Sequence, residues 1–479
     1  PYLLLAIIFG LVAIFAQKET WGENLSQEPY GFLQRLLFAG TAFVQYIFKL
    51  ITPYKLSGFY PYPAKIPGVF LWKAIFSLVF TVAVLWLFFR SVKKDKVIAF
   101  GLLYFMVNIF LLLKLFEFPA GDYIMADRYA YVASVGIFIL IAYLFQKLFE
   151  NKTLIKKVIR IALIGYFFFL GFQTFQRTGV FQDDLHFYSD IIEKYPTAEV
   201  AYTNRGVIRQ DKGNYKGALS DFNHAIKINP NSYKNFANRA AVYTKLNNYK
   251  KAKTDYEKSH SLKPGSLMVL SNLGYAKLQT RDFNGAIKDF NTVLEKQPQN
   301  TEALNNRGTA KFSLGNFNAA IQDYSLAIRY DSAFANAWFN RGLASLNSNK
   351  IDEAIRDFST CIKLNQKHVE AYSNRAIAFS RQNNFEKAFS DYDEAIRLKP
   401  SYFDAWLNRG VDKLHVGRNT EAVSDFHQAI QINPNVGATY YFLGLALVGS
   451  DRTTACADFR TALKLGFGQA REQINRFCK

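Results

Sequence analysis

The pattern of apolar and polar positions divides the chain into two halves. Up to residue 176 the apolar residues come in long runs: one from the N-terminus to Ala16, then about Phe32 to Ile51, Val69 to Phe89, Val97 to Phe116, Val132 to Phe149 and Val158 to Phe175. Most approach the ~20 residues with which an α-helix crosses a bilayer core. The second run is interrupted by Arg35, Gln45 and Lys49, which suits a tilted or re-entrant segment. From residue 177 onward charge is interleaved with the apolar positions, as in a water-exposed helical region. The expected fold class is all-α, a polytopic membrane helix bundle followed by an α-solenoid.

A fixed internal period defines the second half. Asn-Arg-Gly or a close relative recurs at Asn204, Asn238, Asn272, Asn306, Asn340, Asn374 and Asn408, and Phe442 closes the series after seven intervals of 34 residues. Bulky residues (Tyr202, Leu304, Trp338, Trp406), small ones (Gly206, Gly274, Gly308, Gly342) and alanines opening a second helix (Ala218, Ala286, Ala320, Ala354) keep the same phase. A helix-turn-helix period of 34 is that of the tetratricopeptide repeat. Pro230, Pro264, Pro298, Pro400 and Pro434 stop the second helices. The expected organisation is a membrane part over 1–176, a junction with a half-repeat helix over 177–198, eight repeats over 199–466 and a capping helix over 467–479. Only "QRTGVFQDD" separates the last apolar run from the half-repeat helix, so rigid docking is expected in place of a flexible tether.

Charge refines this picture. Of 479 residues 58 are basic and 38 acidic, a net charge of +20; residues 1–176 hold 17 and 8 of them. Half the chain is hydrophobic, which excludes disorder, and the apolar runs exclude an ordinary soluble enzyme. The chain opens at Pro1 inside an apolar run, without a basic stretch or cleavage site before it, and reads as the C-terminal part of a longer protein. The loops "RSVKKDK" and "QKLFENKTLIKK" are basic whereas the one between them is acidic, so the basic loops belong on the cytoplasmic side. Alternation then places the repeats on the outer side, in the periplasm if the membrane is a bacterial inner membrane. In the outer loop around Asp122, Asp127 and Arg128 two readings stay open. One is an aromatic belt with a helix-capping ion pair; the other is a lipid-phosphate grip by Arg128 with Tyr131 and Asp127.

The repeats carry two polar columns. Arg205, Arg239, Arg307, Arg341, Arg375 and Arg409 follow the Asn, and Asp221, Asp255, Asp289, Asp323, Asp357, Asp391 and Asp425 precede the aromatic of the second helix. Opposite charges on facing helices are a ladder of structural ion pairs; Leu273 breaks the Arg column, so Asp289 needs another partner. First helices line the concave face of such solenoids. The Asn amides there match one peptide unit per repeat and would hold an extended polypeptide; the alternative is that each bonds a neighbouring helix. Nucleic acid is a poor partner, since Lys245, Lys250, Lys251 and Lys253 cluster locally without a basic stripe. Cys361, Cys456 and Cys478 and the six histidines show no metal-ligand spacing, and no cofactor is implied. Cys456 and Cys478 are equidistant from the turn "GFG" (Gly466 to Gly468), so a hairpin brings them together either as a disulfide or as packed thiols; Cys361 stays a buried thiol.

"EPYGFLQRLLFAGTAFVQYIFKLITPYKLSGFYPYPAKIP", "ADRYAYVASVG" and "VFQDDLHFYSDIIEKYP" resemble the transmembrane and tetratricopeptide-repeat O-mannosyltransferases and their bacterial relatives, of the glycosyltransferase C superfamily. Asp127 stands where that family usually has Glu. The resemblance implies transfer of a sugar from a polyprenyl phosphate to a polypeptide presented by the solenoid. It places the catalytic carboxylate, and any divalent cation, upstream of Pro1. The rival expectation is a non-enzymatic membrane-anchored scaffold for envelope proteins.

Overall fold

The computed structural model describes residues 32–53, 56, 57, 59–61, 68–110, 113, 123–125, 130–148 and 153–478; the first apolar run lies outside them. They fall into two compact units, one ending at Val242 and the other beginning at Tyr243.

In the first unit the apolar runs form helices α1 (Phe32–Ile51), α2 (Gly68–Lys94), α3 (Lys96–Phe110), α4 (Ala130–Leu148) and α5 (Thr153–Thr178). Among the described residues two helical stretches, Leu71–Lys94 and Lys157–Phe181, are long and apolar enough to cross a membrane. Both are apolar all round: Trp72, Phe76, Val79, Trp86 and Phe89 are exposed on α2, and Phe167, Phe168, Phe172 and Phe175 on α5. α1, with its interrupting Arg35 and Lys49, does not reach that standard, and α3 and α4 are shorter. Small residues let α3 and α4 cross closely. A methyl on Gly101 would lie 2.6 Å from Leu140 Cγ and 2.9 Å from the Gly136 carbonyl oxygen. Phe43, Tyr46, Phe105, Ile109, Ala133 and Ile137 fill the interior.

One feature departs from the all-α expectation. β1 (Tyr60–Pro61) pairs antiparallel with β2 (Tyr123–Met125), Tyr60 facing Met125. The pairing puts the α1–α2 and α3–α4 loops at one end of the bundle. At the other end Asp95 accepts hydrogen bonds from Tyr143 Oη (2.7 Å) and Lys147 Nζ (3.0 Å), joining the α2–α3 turn to the end of α4.

Helix α6 (Asp184–Lys194) is capped by the Asp183 carboxylate, which accepts from the His186 amide at 2.8 Å. Its Asp190 takes both Arg177 (2.9 and 2.9 Å) and Lys194 (2.5 Å), and Lys194 also donates to the Leu56 carbonyl at 2.8 Å. Edge-on ring contacts add to this: Phe59 with Tyr188 at 6.5 Å and Tyr60 with Tyr195 at 5.5 Å. The half-repeat helix therefore rests on the α1–α2 loop, over a small core of Phe59, Ile191, Ala198 and Ala201.

Within each unit the helices beyond α6 run in antiparallel pairs: Glu199–Asp211 with Tyr215–Ile228 in the first, and Leu267–Gln279 with Phe283–Lys296 through to Gly437–Leu447 with Arg452–Lys464 in the second, where Ala470–Phe477 packs on the last pair. Several pairs close in the same way: a Cβ on Gly308, Gly342 or Gly410 would lie 2.7 Å from the ring of Tyr324, Phe358 or Phe426, while Ala240 and Ala376 hold this place in two others. At the glycine positions the missing Cβ leaves room for the aromatic to fill the gap between the helices. In the last pair Phe459 meets Gly444 after 15 residues in place of the 16 that separate Phe426 from Gly410, so that hairpin is one residue shorter.

Asp412 is the odd residue of this core. Ala276, Ala310, Ala344 and Ala378 occupy its position in the preceding repeats of the second unit. It is buried, accepts from Ser380 Oγ at 2.7 Å, and leaves Oδ2 without a hydrogen bond. Burial, only partly offset by Ser380, Tyr392 and His415, lifts its pKa above the ordinary carboxyl value. The folded state then holds the proton to higher pH than the unfolded chain does, so stability falls as pH rises from the unfolded value through the folded one. Asp412→Asn is expected to raise the melting temperature at pH 7.5, with the gain shrinking toward pH 4, as scanning calorimetry of both proteins across that range will measure.

Candidate functional site

Two columns of side chains on the first helices have roles beyond filling the core. At Arg205, Arg307, Arg341, Arg375 and Arg409 the guanidinium reaches two second helices. Arg341 binds Asp357 with both nitrogens of one edge (2.9 and 2.7 Å) and gives its remaining Nη1 to Ser325, 16 residues upstream (3.1 Å). Arg307 does the same with Asp323 (2.9 and 2.6 Å) and Asn291 (2.8 Å), and Arg375 with Asp391 (2.7 and 2.7 Å) and Ser359 (2.9 Å). Arg409 joins Asp425 to Asp393, and in the first unit Arg205 joins Asp221 to Ser189. The aspartates are nearly fully buried, so a planar, always-charged fork is the side chain that compensates them.

A second cation stands one helical turn after the Arg position in several pairs: Arg209 on Asp221 (2.8 Å), Lys311 on Asp323 (2.7 Å) and Lys413 on Asp425 (3.0 Å). The same position rescues the broken column. With Leu273 in place of Arg, Lys277 lies 2.7 Å from Asp289. The ammonium only partly compensates: burial still raises the Asp289 pKa. Sequence reasoning had the Arg and Asp but not these lysines, although an i,i+4 spacing from the Arg was the available signal. In the last pair both places are lost to Leu443 and Leu447, and Asp458 Oδ2 has no partner; burial pushes that carboxyl up to about 6.

The Asn column is divided. Asn204 donates to Tyr188 Oη at 3.1 Å, Asn340 to Asn305 Oδ1 at 2.9 Å, and Asn374 to its own helix at Glu370 O, 2.8 Å. Asn272 is exposed, and Asn238, Asn306 and Asn408 are partly exposed, with no hydrogen bond inside the described structure. Within the second unit the first helices of successive pairs touch one another more closely than the second helices do, so the Asn-bearing helices line the inner face there.

Asp127 and Arg128 lie outside the described residues, as does the side chain of Tyr131, which opens α4. Cys456 and Cys478 form a disulfide with Cα atoms 5.6 Å apart, and Cys361 is a buried free thiol whose pKa desolvation pushes up to about 11. Among the described residues no three His, Cys, Asp or Glu side chains converge as a metal site.

Family models of the tetratricopeptide repeat match residues 200–232, 233–266, 335–368 and 369–402, and a related repeat model matches 308–348. These helix pairs are tetratricopeptide repeats, and they form a helical scaffold for protein interactions. Solved structures similar to parts of the chain include MamA (27% identity, 34% of this chain and 95% of MamA, TM-score 0.32). A tetratricopeptide repeat protein from Parabacteroides merdae follows at 20% identity, covering 52% of this chain and 98% of that one with a TM-score of 0.44. Pseudomonas aeruginosa PilF is similar at 16% identity over 43% and 94%, TM-score 0.39. No curated protein matches the chain.

Removing a ladder arginine leaves a buried carboxylate, and the penalty depends on what else neutralises it. Asp357 has no lysine, Ser345 standing where Lys311 stands beside Asp323, and burial already raises its pKa with Arg341 present. Arg341→Ala is expected to lower stability by about 3 kcal/mol and Arg307→Ala by about 1 kcal/mol in urea titrations. Equal losses would mean that Lys311 contributes nothing.

Proposed function

We propose that the chain is a membrane-anchored tetratricopeptide-repeat scaffold that holds an extended polypeptide along its first helices. The observation that carries this is the set of amides at Asn272, Asn306 and Asn408, which face the inner side of the second unit without an internal partner. An amide without a hydrogen bond within the fold has a donor and an acceptor to give a peptide unit, with little regard to the ligand's side chains. Anchoring rests on α2 and α5, and the loop charges favour an inner-membrane protein with its repeats in the periplasm.

The finer reading is that the held polypeptide is an acceptor for sugar from a polyprenyl phosphate. Its support is the resemblance of the membrane segments, together with the β1–β2 pairing that brings the two outer loops side by side next to α6. In that reading Asp127, Arg128 and Tyr131 hold the lipid phosphate, and the carboxylate that activates the acceptor hydroxyl belongs to a part upstream of Pro1.

Changing Asn272, Asn306 and Asn408 together to Ala is expected to weaken binding of unfolded polypeptides about tenfold with an unchanged melting temperature, read by fluorescence anisotropy and calorimetry. A melting temperature that falls with binding would make the column structural. Orientation is tested by fusions at Phe181: alkaline phosphatase should be active there and green fluorescent protein dark, and the reverse pattern overturns the periplasmic assignment.

A further inference from the structure

The second unit contains a pocket that the peptide track does not use. It is an open groove of about 590 Å³ between the turn joining Tyr233–Lys245 to Tyr249–Leu262 and the turn joining Leu267–Gln279 to Phe283–Lys296. Lys250 and Arg281 line it from opposite turns, with Asn247, Tyr249 and Gln279 between them. Lys245, Lys250, Lys251 and Arg281 are exposed, and none has a carboxylate partner among the described residues. The nearby Asp282 is taken by Lys253 at 3.3 Å. Tyr249 stacks edge-on against Tyr275 and donates to Asn247 Oδ1 at 2.8 Å, which fixes one wall.

The repeats supply their own control. The backbone at Arg281 is left-handed, φ +64°, at a place where the corresponding turns have Gly315 and Gly417 or Asn247, Asn349 and Asn383. Those residues tolerate that conformation and arginine does not, at a cost of about 1 kcal/mol. The position matching Lys250 is Lys216 in the first repeat, and Asn284, Asn318, Asp352, Glu386 and Thr420 in the later ones. The same turn geometry therefore carries two cations here and none, or an acid, in the later repeats. Packing does not explain an arginine at this position, since its side chain is in solvent.

We propose that this pocket binds a phosphate ester, the guanidinium of Arg281 and the ammonium of Lys250 sharing its anionic oxygens. A fork and a mobile point charge facing one cavity suit a group with several equivalent oxygens. The groove is open and leaves room beside the phosphate for an organic body of headgroup or sugar-phosphate size. A soluble phosphate ester and an anionic lipid headgroup present the same chemistry.

The test uses the full chain in phosphatidylcholine nanodiscs. Calorimetric titration with glycerol 1-phosphate probes the soluble source, and capture by phosphatidylglycerol vesicles, with phosphatidylcholine vesicles as the blank, probes the lipid source. Binding of either probe, weakened about tenfold or more by Lys250→Glu with Arg281→Glu at an unchanged melting temperature, supports the site. Lys296→Glu with Arg329→Glu, the same charge change at exposed positions outside the pocket, should leave binding within about twofold. Equal losses in the two double variants would show diffuse attraction by a basic surface and overturn the proposal. Absence of binding by both probes would overturn it as well.

Discussion

Most of the repeat half depends on one arrangement: a guanidinium shared between the second helix of its own pair and that of the pair before. A helix pair of this length cannot bury its apolar faces alone, and its neighbours must stack in a fixed register. The arginine supplies that register. Its bidentate edge sets the crossing of its own pair through the buried aspartate, and its free Nη1 ties the pair to the preceding second helix. Because both partners lie 16 residues away, one upstream and one downstream, the 34-residue period and the ion-pair geometry constrain each other. The glycine next to each ladder arginine from Arg307 to Arg341 and at Arg409 allows the approach that the arginine then locks.

The period, the Gly–aromatic closure and the Arg–Asp ladder were open to inspection in the amino-acid sequence, since each recurs in phase and repetition separates signal from chance. Departures from the period were harder to see. Lys277 replaces Arg from one turn away, which no single column displays. The last hairpin loses a residue in its turn, so Ala455, not Cys456, continues the alanine column and Cys456 is rotated toward the terminal helix. The Asn column looked uniform, yet its members differ because the residue beside each differs: Tyr188 lies within reach of Asn204, and Asn305 within reach of Asn340. In the apolar N-terminal half the helices followed from apolar run length. The β1–β2 contact did not, because a pair of two- and three-residue strands carries no periodic signal.

The junction shows how a solenoid end can be finished without a polar capping repeat. Terminal repeats ordinarily need a hydrophilic outer face. Here α6 carries Phe187, Tyr188, Ile191 and Ile192, and the α1–α2 loop covers that apolar side with Phe59 while Lys194 reaches across to the Leu56 carbonyl. The α1–α2 loop serves as the lid of the first repeat.

At the far end the covering is covalent. A linear array of repeats frays from its termini, because an end pair has one neighbour where an inner pair has two. The Cys456–Cys478 bridge fastens the terminal helix to the last pair and closes a 22-residue interval, a constraint of up to about 3 kcal/mol on the opened chain. With that end clasped, opening shifts to the least reinforced interior rungs: Asp289, which meets Lys277 alone, and the Arg341–Asp357 and Arg375–Asp391 pairs that lack a second cation. Reduction of the bridge returns the weak point to the tip, where Asp458 already sits unpaired. The redox state of the surrounding compartment thus selects whether the array unzips from its tip or breathes from its middle.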